Sequence, residues 1–195
     1  MRLSFADTGL ATIDALEGLD AASLFVFEDQ RPLKGAAGYI DWRLCGGLSQ
    51  ILKAGRFVGE RGDALLFPTG GRLRFERVFC FGAGQRRAFT VSVYSALVKR
   101  ACEAMSLAGS RAFVTELPPV PGAGDEGIAQ AFISEGATRF KGERIVLLGD
   151  GKALAKLFSQ TAGRMKGLSV DSEPLGAAPR VVVPAPLPAG KNARR

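Results

Sequence analysis

The chain contains 195 residues, of which 47% are hydrophobic and 23% are charged. This length is enough for one well-packed core but too short for two ordinary domains and a linker, so we expect one domain. No stretch approaches the roughly 18 consecutive apolar residues of a membrane-spanning helix. Asp7 also interrupts the region where a signal peptide would be apolar. We therefore expect a soluble, cytoplasmic protein that has no contact with membranes.

The absence of histidine is the most informative feature of the composition. Histidine is the commonest general base, the usual partner of a nucleophilic serine or cysteine, and the commonest zinc ligand. Its absence therefore argues against most nucleophilic and zinc-dependent catalysis. The cysteines Cys45, Cys80 and Cys102 are odd in number and lie among apolar residues. We expect all three to be buried, reduced thiols.

The net charge of +7 is concentrated at the carboxyl end of the chain. From residue 164 onward, six basic residues stand against two acidic ones, whereas the preceding 163 residues hold 20 basic and 17 acidic side chains. A nearly balanced body does not build the electric field that drives strong binding to nucleic acids. The basic end is expected to add only a non-specific attraction.

The first part of the chain predicts two strands and a helix. Residues 3–5 predict a short edge strand, and the apolar run 24–27 predicts a strand covered on both faces. Apolar residues at helical spacing then predict a helix over residues 36–54. The stripe consists of Ile40, Leu44, Leu48, Ile51 and Leu52. Two adjacent glycines, Gly46 and Gly47, lower the helix propensity in its middle and favour a bend or a close helix contact there.

The middle of the chain predicts three strands and a long helix. The runs 64–68, 77–82 and 112–117 are nearly continuous apolar segments bounded by glycine, proline or charge, as expected of buried strands. Between the last two, apolar spacing predicts a helix over residues 90–108, with Thr90 as its N-cap. Its apolar stripe consists of Tyr94, Leu97, Val98, Ala101, Cys102 and Met105.

The last elements repeat this alternation. A helix opens at Asp125, the run 144–149 predicts a strand, and another helix follows Asp150. Both aspartates are placed to cap the free amides at the start of a helix. Strands that alternate with helices are typical of an α/β fold, in which helices cover a mainly parallel sheet.

Residues 166–195 differ in composition from residues 1–165, which we assign to the folded domain. Half of the ten prolines lie from Pro174 onward, and the chain ends in the basic sequence KNARR. This composition predicts a flexible, polyproline II-like tail. The alternative is that residues 181–183 add a strand or dock on a partner.

Three segments resemble the amino-terminal domain of the leucyl (cytosol) aminopeptidases. They are FVFEDQRPLKGAAGYID (25–41), CGGLSQILKAGRFVGERGDALLFPTGG (45–71) and RVFCFGAGQRRAFTVSVYSALVKRACEAMSLAG (77–109). The middle segment is the most specific, because it joins Gly-Gly-Leu-Ser, Lys-Ala-Gly-Arg-Phe-Val-Gly and a strand that ends in Pro-Thr. The similarity extends over about residues 20–165.

The resemblance implies a macro-domain-like fold, a three-layer α/β/α sandwich with a mixed, mostly parallel sheet. In that family, hydrolysis belongs to a separate carboxy-terminal domain, which binds two divalent metals in a signature resembling Asn-Thr-Asp-Ala-Glu-Gly-Arg. This chain has no such signature, and its only asparagine is Asn192. The resemblance therefore implies no catalytic residue, no metal ligand and no cofactor here.

The best candidate for a small-molecule site is the predicted turn at Gly82 and Gly84, which is followed by Arg86 and Arg87. Amides freed by glycine, a helix dipole and two guanidinium groups are suited to bind phosphate. The alternative is a structural turn, because the pattern does not continue as Gly-x-Gly-x-x-Gly.

A second glycine-rich loop contains Thr69, Gly70 and Gly71 and follows the preceding strand. Ligands bind at strand carboxyl ends in open α/β sheets, so the hypothesis is that this loop faces the first one across a crevice. The alternative is a hairpin-like connection that leads to Arg77. A third loop, residues 148–152, lacks the phosphate-loop pattern, and Asp150 as a helix cap is sufficient to explain it.

These observations favour a stand-alone, non-catalytic module that binds a partner protein or associates with itself. Two alternatives from other classes stay open. The first is a nucleotide or ADP-ribose site in the expected crevice. The second is DNA binding through a cluster of basic residues. That cluster contains Arg72, Arg74, Arg77, Arg86, Arg87, Lys99 and Arg100.

Overall fold

The fold is built on a seven-stranded sheet, described by a computed structural model over residues 2–164 and 172–174. In chain order the strands are β1 (Arg2–Asp7), β2 (Ala21–Phe27), β3 (Ala64–Pro68), β4 (Arg77–Gly84), β5 (Ala112–Glu116), β6 (Arg144–Gly149) and β7 (Ser172–Pro174). Across the sheet they are arranged β3-β4-β2-β5-β6-β1-β7. All neighbours are parallel except β3 and β4, which are antiparallel. The parallel strands therefore end at one side of the sheet, here called the carboxyl edge.

Helices cover both faces of this sheet. One face carries α1 (Leu10–Ala15), α2 (Gly35–Arg43) and α3 (Gly47–Lys53), and the other carries α4 (Val91–Leu107), α5 (Asp125–Arg139) and α6 (Gly151–Arg164). A short 3₁₀ turn, Arg86–Ala88, precedes α4. Alternate strand residues pack against the two helical layers: Ile145 and Leu147 face α4 to α6, whereas Val146 and Leu148 face α1 to α3. The predicted α/β/α sandwich with a mostly parallel sheet is confirmed.

The structure corrects four element predictions. β3 was expected to be a buried strand, but it lies at the end of the sheet with Ala64, Leu66 and Pro68 exposed. β1 is not an edge strand, because it lies between β6 and β7. The helix predicted over residues 36–54 is two helices, separated where Cys45 and Gly46 adopt positive φ angles of 56° and 76°. Asp125 is not an N-cap, because Gly124 holds that position and Asp125 lies in the first turn.

Other predictions agree with the structure or lie outside it. Thr90 caps α4, with its side-chain oxygen accepting a hydrogen bond from the Val93 amide. The predicted tail, residues 166–195 with the alternative strand at 181–183, lies outside the described residues, except that residues 172–174 form β7. In the part of the chain that the structure describes, none of the helices has the length and apolar character needed to cross a bilayer.

Candidate functional site

A crevice opens at the carboxyl edge, where the fold leaves space above the ends of β2 and β5. It has a volume of about 250 Å³. Its walls come from β2, the start of α2 and the segment after β5. The lining residues are Leu24, Phe25, Phe27, Gln30, Lys34, Gly35, Ala37, Glu116, Leu117, Pro118 and Pro119. This position is where open α/β sheets bind ligands.

The start of α2 is the natural anion-binding point of this crevice, and a carboxylate of the chain already occupies it. Glu116 Oε2 accepts a hydrogen bond of 2.8 Å from the Ala36 amide. Its other oxygen accepts a hydrogen bond of 2.9 Å from the Thr8 hydroxyl. Because the helix dipole and the free amides of α2 already interact with Glu116, an incoming phosphate would meet a negative charge there.

The predicted turn at Gly82 and Gly84 is wrong, because both glycines belong to β4. Their amides are not free: Gly82 donates to the Asp63 carbonyl at 3.0 Å, and Gly84 donates to the Gly59 carbonyl at 2.8 Å. A Cβ on Gly82 would lie 1.8 Å from the Glu60 carbonyl oxygen. The glycine therefore serves a close approach between β4 and residues 59–63.

Arg86 and Arg87 follow β4 on the exposed 3₁₀ turn. The Arg86 amide donates to both carboxylate oxygens of Asp29, at 3.1 and 3.2 Å. Arg87 Nε donates to Gln85 Oε1 at 2.9 Å, and the Arg86 guanidinium lies 5.9 Å from the centre of the Phe27 ring. A second carboxylate of the chain, Asp29, thus takes the place at which an anion was expected.

Thr69, Gly70 and Gly71 lie at the opposite side of the sheet. Since β3 runs antiparallel to β4, this loop is a hairpin connection next to the start of β4. The Thr69 amide donates to the Glu76 carbonyl at 2.9 Å, and its hydroxyl donates to the Phe75 carbonyl at 2.7 Å. The hypothesis that the two glycine-rich loops face each other across one crevice is therefore wrong. Ligand binding by these residues stays a prediction.

The basic residues considered for DNA binding do not form one patch on the surface. Arg74 and Arg77 lie near the start of β4 and form ion pairs with Glu17 and Asp20, whereas Arg86 and Arg87 follow its end. Arg100 donates to the Gly62 carbonyl at 2.8 Å. These residues are moderately clustered in the sequence, but in the structure they lie at both ends of β4 and on α4.

Other carboxylates of the chain also have structural partners. Asp150 caps α6 by accepting a hydrogen bond of 2.9 Å from the Ala153 amide, as predicted. Asp7 accepts a hydrogen bond of 2.9 Å from the Gly151 amide. Glu126 forms an ion pair with Arg164. These carboxylates stabilise helix ends and loops, which leaves them poorly placed for acid-base chemistry.

The described residues offer neither a metal centre nor an activated thiol. No group of three or more Cys, Asp or Glu side chains in residues 2–164 is arranged to hold a metal ion. Burial, with a smaller effect of the Asp41 carboxylate, raises the pKa of Cys80 to about 12. Burial likewise raises the pKa of Cys102 to about 12. Cys45 was expected to be buried but is exposed, because the left-handed break after α2 turns it outward.

Sequence reasoning missed an aromatic surface on α2. Trp42 is 63% exposed and Tyr39 is 40% exposed, and their spacing of three places them on one side of the helix. The Arg43 guanidinium lies 4.8 Å from the centre of the Trp42 ring and forms an ion pair with Asp14. Trp42 was detectable in the sequence, since it lies between the buried positions of the predicted stripe.

A groove of about 630 Å³ runs beside Trp42. Its lining includes Pro32, Leu33, Gly38, Asp41, Trp42, Arg43, Cys45, Gly46 and Ser49. The Asp41 carboxylate accepts hydrogen bonds from the Leu48 and Ser49 amides at 2.9 and 3.2 Å. Because Asp41 and Arg43 both have partners within the chain, the groove presents mainly apolar and aromatic atoms. Tyr39, Trp42, Arg43 and this groove are called the Trp42 surface below.

Comparisons with known proteins agree with the resemblance found in the sequence. The model of the cytosol aminopeptidase family, N-terminal domain, matches residues 24–140, which is more than half of the chain. A probable cytosol aminopeptidase of Halorhodospira halophila is 33% identical over 93 residues, which make up 48% of this chain and 19% of that protein. Similar matches to other such proteins span 14 to 19% of their length.

Solved structures confirm the macro-domain-like fold. A mutant of tomato leucine aminopeptidase matches 83% of this chain and 35% of its own, with a TM-score of 0.55 and 18% identity. A Trypanosoma brucei macrodomain, solved in complex with ADP-ribose, matches 82% of this chain and 68% of its own, with a TM-score of 0.59 and 13% identity. At these identities the likeness establishes the fold alone.

Proposed function

The chain belongs to the cytosol aminopeptidase family, because the model of that family's N-terminal domain matches residues 24–140. From this premise we propose that the chain is a non-catalytic module that binds a partner protein through the Trp42 surface. We also propose that it acts in the cytoplasm, in keeping with the names of its relatives. The single observation that carries the binding proposal is the exposure of Trp42 beside a preformed groove.

The chemistry of the Trp42 surface favours a protein partner. Trp, Tyr and Arg are the residues that most often dominate the energy of protein interfaces. The Arg43 guanidinium bonds the Asp14 carboxylate, with Nε donating to Oδ1 at 2.7 Å, so it is ordered before any partner binds. An ordered aromatic and guanidinium pair loses little conformational entropy on association. The expected complement is an apolar side chain of the partner that enters the groove beside Trp42.

The rest of the described chain supports a binding role over catalysis. The candidate nucleophiles Cys80 and Cys102 stay protonated because burial raises their pKa values to about 12. Thiolate rather than thiol is the nucleophile. The carboxylates nearest the crevice, Asp29 and Glu116, hold backbone amides of the chain.

The test uses a photo-crosslinking amino acid in place of Tyr39 in the full chain, expressed in its native cells. We expect a crosslink to one defined protein, which is then purified and titrated against the unmodified chain. Trp42 is the only tryptophan of the chain, so a shift in its emission, read with a tryptophan-free variant of the partner, reports contact at this surface. The substitution Trp42→Ala is expected to weaken the complex at least tenfold.

A matched control separates this effect from general loss of structure. Leu107 is 89% exposed at the end of α4, so Leu107→Ala removes an exposed apolar side chain elsewhere. It should leave the affinity unchanged. A complex that tolerates Trp42→Ala, or an emission spectrum that does not change at saturation, would contradict the proposal.

The second candidate function is binding of a nucleotide or ADP-ribose in the carboxyl-edge crevice. The observation that favours it is the position of the crevice, together with Lys34 and Gln30 in its walls. Glu116 and Asp29 oppose it, because each holds amides that a diphosphate would need. Calorimetry with ADP-ribose at millimolar concentration tests it, and absence of heat removes this candidate.

A further inference from the structure

Among residues 2–164 and 172–174, one side of the β3 backbone has no partner. In this part of the chain β3 is the end strand of the sheet and pairs only with β4. The Thr69 amide donates to the Glu76 carbonyl, and the Gly82 amide donates to the Asp63 carbonyl. In an antiparallel pair the residues that bond across the ladder alternate along each strand. Residues 63, 65, 67 and 69 therefore face β4, and the backbone groups of Ala64 and Leu66 point away from the sheet.

The free side of β3 is accessible in the part of the chain that the structure describes. Ala64, Leu66 and Pro68 are exposed, and Leu66 is 55% exposed. Within the residues that the structure describes, the amides of Ala64 and Leu66 form no hydrogen bond beyond the sheet. The strand ALLFP also contains no charged residue. Natural edge strands that stay unpaired usually carry a charge, a bulge, a proline or a cover against further pairing, and of these the described part of the chain gives β3 only Pro68 at its end.

We propose that β3 pairs antiparallel with β3 of a second copy of this chain, with Leu66 opposite Leu66. In this register each Leu66 amide donates to the Leu66 carbonyl of the other copy, and each Ala64 amide donates to the other Pro68 carbonyl. Pro68 contributes its carbonyl to this ladder but has no amide hydrogen, so the Ala64 carbonyl opposite it receives no bond in return. The two exposed Leu66 side chains then cover each other on the same face of one continuous sheet.

Charge at the two ends of β3 favours the same arrangement. Glu60 precedes the strand and Arg72 follows it, and both are exposed. Neither forms an ion pair among the described residues. Glu60 and Arg72 lie in the turns that flank β3, so antiparallel pairing brings Glu60 of each copy to the same end of the joint sheet as Arg72 of the other. A two-fold interface repeats this contact twice, because the same patch is used by both subunits.

The first test measures the mass of the full chain by sedimentation over a range of concentrations. We expect a monomer–dimer equilibrium for the wild type. Leu66→Lys places two like charges opposite each other and should raise the dimer dissociation constant at least tenfold. Leu107→Lys changes a leucine on α4 that is more exposed than Leu66, 89% against 55%, and should leave the equilibrium as it is.

The second test exchanges the two charges. Glu60→Arg and Arg72→Glu should each weaken the dimer, whereas the double variant should restore it, which a simple loss of folding does not do. Circular dichroism checks that each variant is folded. A wild-type monomer at the highest concentrations, or a dimer that is indifferent to Leu66→Lys, would overturn the proposal. Its failure leaves the Trp42 surface untouched, since that surface is tested by its own variants.

Discussion

The Glu116 carboxylate lies against the first turn of α2 and accepts a hydrogen bond of 2.8 Å from the Ala36 amide. The residue at the N-cap position, Lys34, provides no side-chain hydrogen bond. Glu116 ends β5, so a strand supplies the cap for a helix whose Ala36 amide lies 80 residues earlier in the chain. The same contact places a carboxylate at the phosphate position of the crevice, which links the stability of α2 to the repulsion of an anion there.

Replacing Glu116 by alanine should therefore have two effects. Loss of the cap leaves the Ala36 amide and the Thr8 hydroxyl without this partner, and we expect the free energy of unfolding to fall by about 1 to 2 kcal/mol. Urea denaturation measures this loss. Glu116→Gln keeps the acceptor oxygen but not the charge, so it should lose less. Equal stability of Glu116→Ala and the wild type would show that the contact contributes nothing.

The second effect concerns ligand binding. Glu116→Ala removes the negative charge from the N-terminus of α2, which then resembles an ordinary anion site. We expect inorganic phosphate or ADP-ribose to bind this variant more tightly than the wild type, with a difference of at least tenfold in calorimetry. Unchanged affinity would mean that Glu116 does not control the crevice.

Gly82 and Gly127 make a matched pair for testing the close approach at β4. A Cβ on Gly82 would lie 1.8 Å from the Glu60 carbonyl oxygen, whereas nothing lies within 4 Å of a Cβ on Gly127. Gly82→Ala should displace residues 59–63 and lower the free energy of unfolding by about 1 to 3 kcal/mol. Gly127→Ala lies within α5 and should raise it by up to about 1 kcal/mol. Thermal and urea unfolding of both variants give the comparison, and a Gly82→Ala protein as stable as the wild type contradicts the prediction.

The strands were predictable because buried strands of a covered sheet are continuous apolar runs, as in residues 144–149. The break between α2 and α3 was not, since the apolar stripe runs through it from Leu44 to Leu48. The break depends on positive φ angles at Cys45 and Gly46. A residue such as cysteine gives no local signal for that conformation.

The candidate site was less predictable than the fold. A Gly-x-Gly pattern indicates that the backbone is approached closely, but it does not identify the approaching group. At Gly82 the group is residues 59–63 of the same chain. Thr69 and Gly84 lie at opposite ends of β4 because β3 runs antiparallel to β4. The sequence could not predict this direction, because a strand in a hairpin and a strand after a crossover contain the same apolar run. The exposure of Trp42, by contrast, is predictable from the sequence, because Trp42 lies between the buried positions of the apolar stripe.

Asp41 is expected to hold the Trp42 surface in shape. It is buried, and its Oδ1 accepts hydrogen bonds from the Leu48 and Ser49 amides while Oδ2 accepts one of 2.5 Å from the Ser49 hydroxyl. Asp41→Ala leaves these amides unpaired at the start of α3, so we expect a loss of about 2 kcal/mol. Ser49→Ala removes one bond and should lose about 1 kcal/mol. Urea unfolding measures both, and partner binding should weaken in Asp41→Ala. An Asp41→Ala variant no less stable than Ser49→Ala contradicts this role.

The burial of two thiols predicts how the free energy of unfolding depends on pH. Burial raises the pKa values of Cys80 and Cys102 from 9.0 to about 12. Between these values the unfolded chain has released thiol protons that the folded chain retains, so ionisation stabilises the unfolded state. Each thiol should lower the free energy of unfolding by about 1 kcal/mol between pH 9 and pH 10 and by about 1.3 kcal/mol between pH 10 and pH 11, and the decline should level off near pH 12. Well below pH 9 the thiols are protonated in both states, so they leave the free energy of unfolding independent of pH.

Variants isolate this effect from the other groups that titrate at high pH. Cys80→Ala and Cys102→Ala each remove one buried thiol. In each variant, the decline of the free energy of unfolding above pH 9 should therefore be smaller than in the wild type by the amount expected for one thiol. The remaining groups are common to all three proteins and cancel in the comparison. A thiol reagent at pH 8 should modify only the exposed Cys45 until the chain unfolds. If the three proteins decline equally above pH 9, or if Cys80 reacts in the folded state, the thiols are not shielded by the core in the way that their burial implies.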